Sequence, residues 1–392
     1  MGQRNLIRVC HVITLLELGG AQQNTLYTCS KLDPARFDVY LLAGEGGYLD
    51  GEAVRLLGER ACFLPELVRE IRPWKDLSAY RSLRRELKRI SPAIVHTHSS
   101  KAGILGRAAA RAAGIRHIIH SIHGFPFHDE QAWPVRDAYL TAEKTAARWT
   151  EAFVAVSRRN IEKGIELGLF GSEKVRLIRS GIDIEYFASA SAPPDLRRKV
   201  GVPEGVPLIG SISCLKPQKA PLDFVDVCRQ VTNTAPDAHF LLIGDGEMRP
   251  QVEHRVREAG LSDRLHMLGW REDVAELLHL LDVFVLTSHW EGLPRAVIQA
   301  RAAGIAVVAT AVDGTVEAVT DGESGYLCRP GDCATMASRI ISLLMNPDRC
   351  RQMGESGRNG LVEFDQRTMV RQQEELYLEL VAGSPEQAGA GE

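Results

Sequence analysis

The chain has little of what would mark a nucleic-acid, membrane-spanning or metal-centred protein. Its 47 lysines and arginines stand against 50 aspartates and glutamates, a net charge of −3. A DNA or RNA binder would show a strong basic excess, so no nucleic-acid partner is expected. No stretch approaches the roughly 18 consecutive apolar residues of a membrane span. The opening MGQRNLIRVCHVIT has too short an apolar run for a signal peptide and reads as a first strand, so a cytoplasmic location is expected. Eight cysteines are scattered at 10, 29, 62, 214, 228, 328, 333 and 350 with no C-x-x-C pair. They read as small buried hydrophobes of a reducing compartment. Neither half carries a G-x-G-x-x-G fingerprint with its downstream acid, which weighs against an NAD-dependent oxidoreductase. No repeat of 20–50 residues is evident.

What is present is a regular alternation. At 392 residues, 45% apolar and 25% charged, the chain describes a soluble globular protein of two ordinary domains. Short apolar runs recur at 6–14, 37–44, 93–99, 116–124, 152–157 and 175–181. A second series runs through 207–213, 238–246, 264–270, 282–288, 305–310 and 325–328. Helix-like segments separate them. Continuous apolar strands alternating with helices predict α/β architecture with parallel sheets covered on both faces. The expected layout is two doubly wound domains facing one another across a cleft, 1–187 and 206–364. A small-residue, proline-containing linker at 188–205 would join them. A helix over 365–383 is expected to cross back to the first domain, followed by a disordered tail, SPEQAGAGE, at 384–392.

Chemistry concentrates where strands end. The run DVFVLTS (282–288) is followed by Glu291, Gly292 and then Leu293-Pro294, which reads as the opening of a helix with Gln299 two turns on. A strand end followed by a fresh helix N-terminus is where open α/β sheets bind ligands, and its free N–H groups favour phosphate. Pro294 suits the first helical position. After the first strand, Gly19 and Gly20 let the backbone approach a ligand closely; Gly244, in GDGEM, stands in the same relation to its own strand. Lys216 and Lys219, past the strand at 207–213, would neutralise charge on a diphosphate leaving group. His96 and His98 form a His-x-His pair, and His117, His120, His123 and His128 follow. No further ligands stand at metal-site spacing, so no metal is expected. His123, where a strand gives way to a glycine-containing loop, can reach into a cleft as a hydrogen-bond donor or proton carrier. The segment 67–90 carries eight basic residues, among them Arg81, Arg84, Arg85, Lys88 and Arg89, interleaved with Leu83, Leu87 and Ile90. That predicts a basic amphipathic helix able to lie against an anionic membrane surface.

Taken together, the segments LGGAQ (18–22), HTHSSKAGILGR (96–107), SIHGFP (121–126), IRSGIDIEYF (178–187), LKPQKAP (215–221), IGDGEM (243–248), LGWREDV (268–274), SHWEGLPRAVIQA (288–300) and VDGTVEAVTDGESGYL (312–327) resemble the family 4 retaining glycosyltransferases of GT-B fold. The resemblance runs from residue 6 to about 381. It implies two Rossmann-like domains enclosing a nucleotide-sugar, with most of the donor held by the C-terminal one. Lys219 and the N–H groups around Gly292 and Leu293 would hold the diphosphate. Glu291 would bind the sugar near C3, and Gln299 the ribose hydroxyls. His123 would sit beside the donor sugar, Gly20 would close over the phosphates, and Gly269-Trp270-Arg271 would frame the base. The chemistry implied is front-face displacement with retention, needing no cofactor or metal, with positive groups stabilising the departing UDP or GDP.

Two positions depart from the family pattern. Gln299 replaces a glutamate, and Cys214 stands where an arginine is common; Lys216 is expected to supply the missing charge. The expectation is therefore transfer of a sugar from a UDP- or GDP-sugar to a hydroxyl acceptor. A lipid-linked glycan intermediate in surface polysaccharide synthesis suits the basic helix, through peripheral contact with the inner membrane face. A nucleotide-sugar epimerase of the same fold and an inactive sugar-nucleotide-binding protein are the alternatives.

Overall fold

A computed structural model describes residues 6–125 and 133–383. The chain divides into two compact units, Met1–Gly181 with Gln366–Glu392, and Ile182–Asp365.

The first unit is built on β1 (Ile7–Ile13), β2 (Phe37–Ala43), β3 (Ala61–Phe63), β4 (Ile94–His98), β5 (His117–Ile122), β6 (Ala152–Ala155) and β7 (Val175–Leu177). They form one parallel sheet in the order β3-β2-β1-β4-β5-β6-β7. Burial of both faces explains the continuous apolar runs that mark most of these strands in the sequence. One face packs Leu26, Phe37, Leu41, Ile119 and Tyr377 together; the other packs Val12, Leu83, Leu87, Ala102 and Ile118. The second unit contains β8 (Leu208–Ile212), β9 (His239–Ile243), β10 (Leu265–Gly269), β11 (Val283–Leu286), β12 (Ala306–Thr310) and β13 (Gly325–Cys328). Its order is β10-β9-β8-β11-β12-β13, again parallel throughout. Phe224, Phe240, Val283, Val285, Met336 and Ile340 lie at the centre of its core.

In each sheet the strand order reverses once, between β1 and β4 and between β8 and β11. Loops leaving the carboxyl ends of those neighbours diverge to opposite faces and leave a crevice, the usual ligand position of a doubly wound sheet.

Three details differ from the sequence reading. β3 is only three residues long, and its apolar run, Ala61–Leu64, is too short to stand out in the sequence. The segment 188–205 lies inside the second unit, where Leu196, Val200 and Val202 are buried, so its small residues and prolines mark turns around short helices. The helix after β11 begins at Arg295, with Pro294 as the extended residue before it (φ −77°, ψ 95°). The helix Gln366–Ala382 buries Met369, Val370, Gln373, Leu376 and Tyr377 and packs on the helix Gly20–Lys31 of the first unit. Glu374 accepts a hydrogen bond from the Asp33 N–H at 2.7 Å. His128 and the tail 384–392 lie outside the described residues.

Candidate active site

In the second unit two loops meet at the switch point. β8 leads through Ser213 and Cys214 into a 3-10 turn, Pro217–Lys219, and Ala220 then adopts a left-handed conformation (φ 44°) that turns the chain into the helix Pro221–Thr232. β11 leads through Thr287 and Ser288 to Glu291. The Thr287 hydroxyl is 3.0 Å from the carbonyls of both Lys219 and Ala220. The His289 N–H donates to the Gln218 carbonyl at 2.8 Å, and the Gln218 amide donates to the Trp290 carbonyl at 2.9 Å. These bonds hold the loops at one spacing, and across it Lys219 Nζ lies 2.5 Å from Glu291 Oε1. Ser288 Oγ donates to the same oxygen at 2.6 Å. Glu291 is only 6% exposed, so this pair, charge-assisted and partly desolvated, is well fixed.

A third loop closes behind them. Asp313 takes a left-handed backbone (φ 35°) after β12 and accepts the Glu291 N–H at 2.9 Å. A Cβ on Gly314 would lie 2.1 Å from the Gly292 carbonyl oxygen, so only glycine permits this approach. Among the described residues the N–H groups of Gly292 and Leu293 have no hydrogen-bond acceptor. Two donors beside a lysine and a helix start make an anion-binding corner.

Other predicted residues take supporting positions. Gln299 lies in the second turn of the helix Arg295–Ala303, half-buried. Cys214 is half-buried in the β8 loop; among the described residues Lys216 makes no ion pair, whereas Lys219 does. Gly244 (φ 126°) is held by its N–H to the Gly269 carbonyl at 2.8 Å, and a Cβ there would meet the Ser213 carbonyl at 2.0 Å. Its glycine is thus required by the contact between the β8 and β9 loops. Trp270 is 42% exposed. Arg271 is clamped by Asp273 through contacts of 2.7 and 2.5 Å, which leaves its guanidinium plane rigid rather than mobile.

In the first unit, Gly19 precedes the helix Gly20–Lys31 without a side-chain cap. His123 follows β5, just ahead of Gly124 (φ 144°). The parallel register of β1 and β4 sets His11 opposite His96, and a chain of rings results. His123 Nε2 is 3.2 Å from His98 Nδ1, and His98 Nε2 is 3.0 Å from His11 Nδ1. Tyr377 Oη lies 3.5 Å from His11 Nε2 and 2.6 Å from His96 Nδ1; His96 Nε2 is 2.8 Å from Ser121 Oγ. Burial pushes the His11 pKa down to about 3. Burial first, then the neighbouring rings, hold His96 and His98 well below the usual range. All three are therefore neutral near pH 7. One ring nitrogen from each of His11, His96 and His98 lies within 4.8 Å of the others, a grouping that could hold a metal ion. The sequence hid it, because His11 stands 85 residues before His96 and only the strand register joins them. His117 and His120 serve elsewhere, bonded to Glu151 at 2.7 Å and to Thr97 at 2.9 Å.

Sequence reasoning missed Ser288, Asp313 and Tyr377. Only Asp313-Gly314 left a signal, as an acid–glycine pair directly after an apolar strand.

Two doubly wound parallel sheets in one chain, one bearing a lysine–carboxylate pair beside free N–H donors at its switch point, define the GT-B class of sugar transferases. Solved structures agree on the fold. Anabaena HepE in complex with UDP and glucose superposes with a TM-score of 0.83 at 19% identity, covering 95% of this chain and 100% of that one. Sucrose-phosphate synthase from Thermosynechococcus elongatus gives 0.82 at 20%, covering 96% and 100%.

Sequence comparison then fixes the family. Residues 18–186 match the model described as Glycosyltransferase Family 4, and residues 194–360 match Glycosyl transferases group 1. The Escherichia coli UDP-Gal:alpha-D-GlcNAc-diphosphoundecaprenol alpha-1,3-galactosyltransferase is 32% identical over 385 residues, 96% of this chain and 97% of that one. A Campylobacter jejuni N,N'-diacetylbacillosaminyl-diphospho-undecaprenol alpha-1,3-N-acetylgalactosaminyltransferase is 25% identical over 316 residues, 78% of this chain and 82% of that one. The chain belongs to glycosyltransferase family 4. It is a transferase of the surface-polysaccharide type, not an epimerase.

Proposed function

We propose that the protein transfers a hexose from a UDP-sugar to a hydroxyl of a lipid-diphosphate-linked glycan, with retention at the anomeric carbon and without a metal ion. The observation that carries the reading is the Lys219–Glu291 pair beside the open N–H groups of Gly292 and Leu293. In the donor complex the diphosphate takes those donors and the Lys219 ammonium, while the Glu291 carboxylate accepts sugar hydroxyls. Charge growing on the leaving UDP is met by groups already in place. Gln299 reaches the ribose, and Trp270 with the clamped Arg271 borders the base. The family resemblance assigns His123 to the donor sugar and the acceptor to the first unit. The names of the two transferases above, both acting on undecaprenyl-diphosphate glycans, support the acceptor class, and HepE supports UDP.

A lipid-linked acceptor calls for a cytosolic enzyme that visits the membrane surface. Among the described residues no helix is long and apolar enough to cross a membrane. The helix Pro73–Ile90 instead exposes Trp74 (85%), with Ile71 (66%) just before it, among arginines and lysines, a pattern suited to peripheral contact with anionic lipid.

The test is a thermal-shift panel of UDP- and GDP-sugars, followed by transfer to a polyprenyl-diphosphate-linked sugar in EDTA. A ligand that binds only the folded state raises the melting temperature with occupancy. UDP-sugars should shift it, GDP-sugars should not, and the product should carry the α-linkage of its donor. No shift with any nucleotide would sink the reading; a GDP-only shift would correct the base; activity lost in EDTA would overturn metal independence.

A further inference from the structure

The Glu291 carboxylate uses its two oxygens unequally. Oε1 receives both the Lys219 ammonium, at 2.5 Å, and the Ser288 hydroxyl, at 2.6 Å. An ionised carboxylate offers about four lone-pair sites, roughly two on each oxygen, so Oε1 is filled. Oε2 makes no hydrogen bond among the described residues, and it is not sealed from solvent. Its lone pairs stay open to an incoming donor.

Nothing in a glutamate side chain by itself keeps its oxygens apart in this way. Its last torsion is broad and roughly two-fold, so the carboxylate plane turns until an oxygen is held. Lys219 alone holds it loosely. That side chain is 21% exposed on a flexible stem, and a bound diphosphate draws on the same ammonium. Ser288 is 0% exposed, and its backbone is tied to the neighbouring strand. Thr310, the last residue of β12, donates its hydroxyl to the Ser288 carbonyl at 2.6 Å. Asp313, in the loop that follows, accepts the Glu291 N–H at 2.9 Å. The stretch 288–291 is pinned at both ends from the β12 side, so the Ser288 hydroxyl works from a fixed point.

We propose that Ser288 is a positioning residue for the donor sugar: by holding Oε1 of Glu291 it leaves Oε2 to accept the sugar hydroxyls, and it continues to do so when the diphosphate takes a share of Lys219. This rests on the placement of Glu291 at the donor sugar. Every group involved belongs to the second unit, in the loops after β8, β11 and β12.

Isothermal titration of the whole protein with UDP and with a UDP-hexose separates this role from a structural one, because UDP meets the diphosphate corner but brings no sugar. Ser288→Ala should weaken UDP-hexose binding about tenfold and change UDP binding less than about twofold. A residue that merely supported the loop would weaken both together. In a Glu291→Ala background the same Ser288→Ala change should add no further loss for UDP-hexose, since the group it positions is gone. Equal loss for UDP and UDP-hexose, no loss for either, or an additional loss in the Glu291→Ala background would each overturn the proposal. If Glu291→Ala binds UDP-hexose as tightly as the wild type, the proposal falls with the placement of Glu291 at the sugar. If the wild type binds neither ligand, it falls with the donor site itself.

Discussion

At the scale of single residues, the donor corner combines positions the sequence displays with positions it conceals. Glu291, Gly292 and Lys219 stand out because a carboxylate, a glycine and a lysine follow strand ends in a recognisable order. Asp313 does not, because its bond to Glu291 exists only once β11 and β12 lie side by side, and Ser288 reaches Glu291 across three residues of one loop through a contact no sequence motif marks. Gln299 is the position where sequence and structure meet most usefully. Its amide sits on the helix that starts at the anion corner, at the position where the family pattern described above has a glutamate. A hydrogen bond to a neutral acceptor contributes about 1 kcal/mol, against roughly 1.5–3 for a charged one. Gln299→Glu is therefore expected to tighten UDP-sugar binding about tenfold, since 1.4 kcal/mol is a factor of ten. Isothermal titration with wild type and variant reads this directly. An unchanged or weaker affinity would show that residue 299 does not face the ribose.

At the scale of elements, twelve strands announce themselves as apolar runs because parallel strands covered on both faces need no polar alternation. β3 escapes because its apolar run, Ala61–Leu64, is too short to be told from a loop. The switch points follow from strand order, which no local pattern encodes. The loop after β12 shows how an element can matter without carrying chemistry. Asp313 and Gly314 bring that loop against the Gly292 peptide so closely that a methyl group has no room. Gly314→Ala must displace one of the two backbones, and the Gly292 side carries the open N–H donors. A shift near 1 Å at a binding group can cost about 100-fold in rate, whereas small-to-large changes cost roughly 1–3 kcal/mol in stability. The expected result is a folded protein, somewhat less stable, whose kcat/KM falls about 100-fold and whose melting temperature no longer responds to UDP. A full nucleotide response in the variant would remove the Gly292 corner from the donor site.

At the scale of the whole molecule, the two units differ in what acid does to them. His11, His96, His98 and His120 are buried in the first unit, and burial depresses all four folded-state pKa values. No described histidine of the second unit is fully buried; His239 and His266, half-exposed, are shifted down too but with water near. Above pH 6.5 the buried rings are neutral in both folded and unfolded chains, and they give stability no slope. Below it the unfolded chain binds protons that the folded unit refuses, so stability falls with pH until the folded value is reached, about 3 for His11. At pH 5 His11 alone costs about 2 kcal/mol, from 1.36 kcal/mol per unit over 1.5 units. His96, His98 and His120 act in the same direction, and a domain commands only about 5–15 kcal/mol in all. The first unit should therefore loosen before the second between pH 6.5 and pH 5. Hydrogen exchange at pH 7 and pH 5, corrected for the intrinsic rate, should show protection lost first across β1, β4, β5 and the helix Gln366–Ala382. Helix 366–382 belongs in that set because Tyr377 is bonded to His96, and a protonated ring cannot accept its hydroxyl. Equal loss across both sheets would mean that the buried histidines do not govern the acid limit of this fold.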